Sequence, residues 1–357
     1  MYCLKNIERV VMPNDIVKLY TQLYPFIGRN DAMLKTVSKD HDVLVGETIR
    51  LDTAFAMRLF GVELADPRFK SLVVKDAGAK NKTERFVKNL KRAFDKIHKE
   101  TNTFELRETE IRDLLHFLYR DVEPDARLRH AKTERKREKT TDLLSSHHPT
   151  KREALETLID DFRRLLAKSD FEPIFLSVNF YIDFINLKPF LVHNDVIGLM
   201  TLYVLLLSHG VKSLHLASFF ELMYKQQDRL EKHTQEASRN WEEGLANVMT
   251  LHRFILQKLL ESYQSLHELL RNYTFDQETN KSDYVENTIN KLDDVFSKDD
   301  IRRAHPTISD STINRTLRRM RDEKRIRPLG KGRSAKWMKL YKSQKKASLY
   351  EQITLKV

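Results

Sequence analysis

A single cysteine, Cys3, stands in the 357 residues. No disulfide framework and no cysteine-based metal site can form within one chain, and that usage suits a reducing cytoplasm. Glycine and proline are scarce, at nine each. Long periodic apolar stretches therefore run with few turn residues, which favours a mainly helical chain. No run reaches 18 uninterrupted apolar residues, so no membrane span is expected. The opening MYCLKNIERVV lacks a long apolar segment and does not read as a signal peptide. What is present, 41% hydrophobic and 32% charged residues, fits a soluble, folded, cytoplasmic chain of two or three domains.

Charge is unevenly placed. From Ile301 to Val357 there are 17 Lys/Arg and 4 Asp/Glu, a net of +13, whereas the whole chain carries +12. The residues before Ile301 therefore nearly cancel. A compact basic module points to a polyanion, most often nucleic acid. A basic surface that only keeps the protein soluble is the plainer alternative.

Thr83–His98 places Phe86, Leu90, Phe94 and Ile97 on one helical stripe, and Glu108–Tyr119 repeats the pattern with Ile111, Leu114, Leu115 and Leu118. Both predict core-facing helices without chemistry. Arg120–Thr150 has dense charge and few apolar anchors, so it reads as an exposed loop. His130, His147 and His148 in it lack partners at metal-ligand spacing. The plainer reading is Pro149 at a helix start, with Ser146 or His148 near the cap. The next helix, from Lys151, buries Leu155, Leu158, Ile159 and Phe162. No metal is expected.

The most apolar helices, Phe171–Phe184 and Val196–Ser208, flank a polar, helix-breaking stretch. Pro189 is expected to end the first. Asn194 or Asp195 is expected to cap the second. The helix start is a possible anion site, to which Lys188 can add a contact. The alternative is that Lys188 snorkels and Asp195 only caps.

This junction resembles the Fic family, whose members usually transfer AMP from ATP to protein hydroxyls. The family carries His-x-Phe-x-Asp/Glu-Gly-Asn-Gly-Arg-x-x-Arg between two core helices. The corresponding residues here run from Lys188 to Leu199. Pro189 and Phe190 fit, and Asn194 matches the asparagine. Lys188 stands for the catalytic histidine and Val192 for the magnesium-holding acid. His193 and Asp195 stand for the two glycines, and Val196 and Leu199 for the two arginines. The helices around the motif fit as well. Phe180–Phe184, Leu199–Gly210, Ala217–Phe220 and Ser238–Trp241 follow the family's order. The resemblance covers roughly residues 30–270.

The departures remove four requirements of AMP transfer. A lysine is charged at neutral pH and makes a poor base. His193 and Asp195 bring bulk, and Asp195 a negative charge, to the place of the triphosphate. Without the arginines, bidentate phosphate donors are missing. Without the acid, the magnesium anchor is missing. Lys188, His193 and Asn194 are thus positions of a degenerate motif, and Lys188 and Asn194 remain only as candidate anion contacts. No catalytic residue and no cofactor are expected. ATP and Mg²⁺ belong only to the alternative, a protein adenylyltransferase or other nucleotide-dependent transferase with an atypical site. An inhibitory Ser/Thr-x-x-x-Glu-Gly/Asn pattern is met by Ser282–Asn287, a match short enough to arise by chance.

After a polar stretch, Asn272–Asp283, that reads as a linker, the pattern predicts a helix around Tyr284–Phe296. Ser297 then caps Lys298–Ala304. A third helix, Asp310–Lys324, carries Ile313, Leu317 and Met320 on one face. Strands Ile326–Leu329 and Ala335–Leu340 follow, joined by Gly330–Ser334. Two helices, a basic third helix and a hairpin follow the order of a winged helix–turn–helix. The third helix of that fold enters the major groove, and the hairpin meets phosphate or a minor groove. Thr312, Asn314, Arg315, Arg318 and Arg319, with Lys331 and Arg333 in the turn, are the candidate DNA contacts. The order resembles the winged-helix domains appended to Fic proteins, which often end in a similar Gly-Lys-Gly-Arg-Ser turn. Trp337 reads as a packing residue.

The expected fold class is mainly α: a Fic-like helical bundle followed by a small α/β winged helix–turn–helix domain. The expected division is 1–105 (N-terminal helical region), 106–271 (Fic-like core, whose start can lie near 30) and 272–357 (linker and winged helix). The expected function is a DNA-binding regulator or adaptor. Its expected partner is double-stranded DNA, with no membrane. A protein partner and homo-oligomerisation are left open. Besides the enzyme alternative stands a protein-interaction module without DNA binding.

Overall fold

A computed structural model of the chain describes residues 2–123, 149–278, 281–330 and 335–340, and among these eight α-helices precede the most apolar pair. They are α1 (Tyr2–Lys5), α2 (Asn14–Ile27), α3 (Asn30–Thr36), α4 (His41–Leu59), α5 (Asp66–Val73), α6 (Lys82–Glu100), α7 (Glu108–Tyr119) and α8 (Lys151–Lys168). Next come the pair itself, α9 (Pro173–Leu187) and α10 (Asn194–Ser208), then α11 (Phe219–Tyr224), α12 (Gln227–Ser238) and α13 (Met249–Glu278). The chain divides into two compact units, Met1–Lys35 with Val45–Leu266, and Thr36–Leu44 with His267–Val357.

The first unit is organised on α9 and α10. Both are apolar on nearly every face, and both are buried along nearly their whole length, the pattern of a helix inside a bundle. Helix α9 packs against α1, α8, α10 and α12. The expected apolar stripes of α6, α7 and α8 face the core, with Phe86, Phe94, Leu115 and Phe162 fully buried. Helix α8 starts at Thr150 with a capping box to Glu153, which satisfies two free N–H groups at once. The expected cap residues Ser146 and His148 lie outside the described residues, as do His130 and His147.

Where α10 crosses α9, Gly198 leaves no room for a side chain. A Cβ there would sit 2.8 Å from Ile185 Cγ2 and 3.1 Å from Phe184 Cδ1. Gly198→Ala gains about 1 kcal/mol of helix propensity but forces the two helices apart, at about 1–3 kcal/mol. A net loss of stability is expected in urea unfolding. Gly46 in α4 has nothing within 4 Å of the same position, so Gly46→Ala is expected to stabilise by up to about 1 kcal/mol.

The second unit holds α14 (Lys281–Lys291), β1 (Val295–Phe296), α15 (Lys298–Ala304), α16 (Asp310–Asp322), β2 (Ile326–Pro328) and β3 (Trp337–Lys339). The three strands form one antiparallel sheet in the order β1-β3-β2. Val295 pairs with Met338, and Ile326 with Lys339. Val285, Ile289, Phe296, Ile313, Leu317 and Trp337 belong to one buried cluster. Trp337 is thus a packing residue, as its place in the pattern suggests.

Two local expectations are corrected. The presumed linker Asn272–Asp283 is helical at its described residues. Buried Tyr273 anchors it by donating to Asp40 Oδ2 at 2.6 Å. The helix expected to reach Phe296 stops at Lys291, and Val295–Phe296 is a strand. A β-branched and an aromatic residue at these positions suit a pleated surface.

Candidate functional site

Helix α9 ends because Lys188 turns left-handed, at φ 49 and ψ 65, with its N–H still donating to Phe184 O. Lys151 Nζ donates to the Leu187 carbonyl at 2.5 Å, which ties the start of α8 to this exit. Pro189 and Phe190 are buried beneath the turn. Phe190 N–H donates to Asn194 Oδ1 at 2.9 Å, and Asn194 Nδ2 donates back to Phe190 O at 2.8 Å. One side chain thus closes the loop on itself.

The expected cap is corrected here. His193, at φ 62, occupies the N-cap position of α10 and makes no side-chain cap bond. Asn194 is the first helical residue, and its amide is spent on Phe190. Closing the loop across both backbone groups of Phe190 uses two bonds where a cap would use one. The His193 ring lies flat on Tyr119, with centroids 3.8 Å apart and planes 13° apart. Its Nε2 is 3.5 Å from Glu123 Oε2. Lys188 and Asp195 are exposed. Lys188, His193 and Asn194 therefore share one short loop but face different partners. The Phe190 N–H that an anion could use is already occupied.

The second candidate surface is on α16. Ile313, Leu317 and Met320 are buried, which turns Arg315 and Arg318 outward. Both are exposed and make no ion pair among the described residues. Thr312 and Asn314 are half-buried. Arg319 points elsewhere. It pairs with Glu286 on α14, with Asp283 at 3.7 Å and with Glu323 at 3.8 Å. Arg325 joins the same Glu286. Arg302 is likewise held by Asp310 at 2.6 Å and Asp299 at 2.9 Å. Lys331 and Arg333 lie outside the described residues.

Two buried carboxylates, Asp183 and Asp52, and half-buried Glu172 went unnoticed in the sequence. Asp183, fully buried on α9, accepts Cys3 N–H at 2.9 Å, Leu4 N–H at 3.0 Å and Trp241 Nε1–H at 2.6 Å. Glu172 accepts Phe175 N–H at the start of α9, together with the hydroxyls of Tyr20 and Tyr24. Burial raises its pKa. Tyr20 OH also lies 2.7 Å from Nε2 of fully buried His252, which burial pushes down to about 3.

Asp52 on α4 accepts Ser218 Oγ–H at 2.6 Å and Phe220 N–H at 3.0 Å, and Tyr203 OH at 3.3 Å. Burial pushes its carboxyl up to about 7. From Tyr203 the chain of polar groups continues to His98 Nε2 at 3.0 Å, and from His98 Nδ1 to His215 Nδ1 at 2.8 Å. A readable signal for Asp183 was a lone acid within an apolar helix, which requires buried donors.

The sequence matches no family model and none of the curated proteins compared. Solved structures do match. A Fic family protein from Desulfovibrio desulfuricans shares 13% identity over 94% of this chain and 98% of its own, with a TM-score of 0.51. A Fic domain containing signaling protein from Bacteroides thetaiotaomicron shares 15% over 72% of this chain and 97% of its own, at 0.54. Fic-1 of C. elegans shares 11% over 69% of this chain and 70% of its own, at 0.51. At these identities the likeness concerns architecture, and the chain has the helical fold of Fic proteins.

Proposed function

We propose that this chain is a DNA-binding regulator or adaptor whose Fic-like core no longer transfers AMP. The observation that carries the reading is the outer face of α16, where Arg315 and Arg318 are exposed and in no ion pair among the described residues, while neighbouring arginines are held by carboxylates. Three helices followed by a β2–β3 hairpin, with β1 completing the sheet, support a winged helix–turn–helix reading of the second unit. In that fold a helix placed like α16 meets the major groove. The likeness to the Desulfovibrio protein spans 94% of this chain, so it reaches beyond the first unit.

The loop supports loss of transfer. Its only exposed cation is Lys188, Val192 offers no carboxylate to a metal, and Asn194 fills the Phe190 N–H. His193, the one imidazole there, lies against Tyr119 and beside Glu123. These residues do not fit a magnesium–nucleotide triphosphate, and no transfer step is assigned to them. ATP labelled at the α-phosphate, incubated with the full chain and a cell lysate, is expected to label no protein. Labelling that vanishes in Lys188→Ala or His193→Ala would establish an enzyme instead.

Duplex binding by the full chain is expected to weaken steeply as salt rises, because phosphate contacts release counterions. No binding to genomic duplex fragments even at low salt, with stable capture of an acidic protein, would favour the interaction-module reading.

A further inference from the structure

A cleft of about 350 Å³ opens between α6, α7 and α10 in the first unit, within the size range of small-molecule sites. It is separate from the α9–α10 loop. Thr201 and Val204 line it, seven and ten residues into α10, roughly 10 Å or more along the axis. Its walls include Phe104, Leu114 and Phe117. Each is only half-buried, so three large apolar side chains present uncovered surface to one concavity. Scattered single apolar residues are ordinary on a surface, whereas convergence on one concavity is what a ligand site requires.

The rim has a sign. Lys96 is paired with Glu100 at 3.6 Å. Glu110 and Asp113, on the first turns of α7, are exposed and make no ion pair among the described residues. The mouth therefore carries two carboxylates that make no ion pair among the described residues, above an apolar wall. A ligand with an apolar body and one cationic group would cover the wall and meet the carboxylates. An anionic ligand would cover the same wall and be repelled.

We infer that this cleft is a binding site for a small amphipathic cation, an aromatic or aliphatic amine. The inference does not depend on DNA binding or on the state of the Fic-like loop. It gives the core a ligand of its own.

The test uses the full chain and two probes of matched shape, 2-phenylethylammonium and 3-phenylpropanoate, followed by saturation-transfer NMR and titration at pH 8 and low salt. The cation is expected to bind saturably at millimolar concentration. The two rim carboxylates attract the cation and repel the anion, and are expected to favour the cation by about tenfold or more. Glu110→Gln combined with Asp113→Asn changes only exposed groups, so the fold stays, and the preference is expected to collapse towards unity. Phe104→Ala is expected to weaken both probes. Equal binding of both probes, no saturable binding of the cation, or binding unmoved by these variants would overturn the inference.

Discussion

Replacing Asp183 by alanine is expected to cost about 3–5 kcal/mol of stability, from about 1–3 kcal/mol for each of two buried backbone donors left without an acceptor and less for the half-buried Trp241 indole. Three donors lose a partner together: the N–H groups of Cys3 and Leu4, and the indole of Trp241. All depend on one carboxylate that is fully buried. Asp183→Asn keeps an acceptor oxygen and should fall between. Thermal unfolding measures the loss, and a second readout separates local from global damage. Burial and the neighbouring Asp183 carboxylate push the Cys3 thiol well above its usual range, so the native protein should react slowly with a thiol reagent. In Asp183→Ala, the released N-terminal segment is expected to react quickly under conditions where the rest stays folded. Unchanged stability and unchanged thiol reactivity would contradict the assignment.

The next largest effect is expected from Asp52, and it depends on pH. The folded carboxyl, at about 7, lies above its ordinary value of 3.8. Between these values the folded state holds a proton that the unfolded state has released. The contribution of Asp52 is therefore full below about pH 4 and is lost as pH rises through 7. The shift corresponds to roughly 4 kcal/mol. Buried His252 and half-buried His209, pushed down by desolvation to about 3 and about 4, act with the opposite sign as acid is added. They are shared by wild type and variant, so the comparison with Asp52→Asn cancels them.

The amide mimics the protonated acid. It accepts from Ser218 and Phe220 and donates to Tyr203, whose hydroxyl then donates to His98. Wild type and variant are expected to have similar stability at pH 4. By pH 8 the variant should lead by several kcal/mol, read from urea midpoints. A gap that does not change with pH would mean that Asp52 keeps its charge.

Much of the helical frame is legible from spacing alone. The stripes of α6, α7 and α8 and the all-round apolar character of α9 and α10 follow from where buried surface must lie. Buried polar pairing is less legible, because partners such as Asp183 and Cys3, or Asp52 and Ser218, are separated by more than 160 positions. Nothing local in a sequence marks such pairs. The same limit applies to the charges of α16. Arg315, Arg318 and Arg319 look equivalent as letters, yet Glu286 and Asp283 on α14 take Arg319 away from the outer face. The loop shows the reverse case. The sequence singles out Asn194 as a helix cap, but only the structure shows that it ties down Phe190 rather than caps α10.

The most direct test is the affinity of the full chain for duplex DNA in three forms: unaltered, Arg315→Ala with Arg318→Ala, and Arg319→Ala. Arg315 and Arg318 are exposed and in no ion pair among the described residues, and a contact to a base edge is worth on the order of 1–3 kcal/mol for each. The double variant is expected to bind at least about tenfold more weakly and to show a shallower salt dependence. Arg319→Ala is expected to bind nearly as the unaltered chain does and to lose stability instead. Duplex affinity that is unchanged in the double variant, or undetectable in the unaltered chain at low salt, would contradict the account.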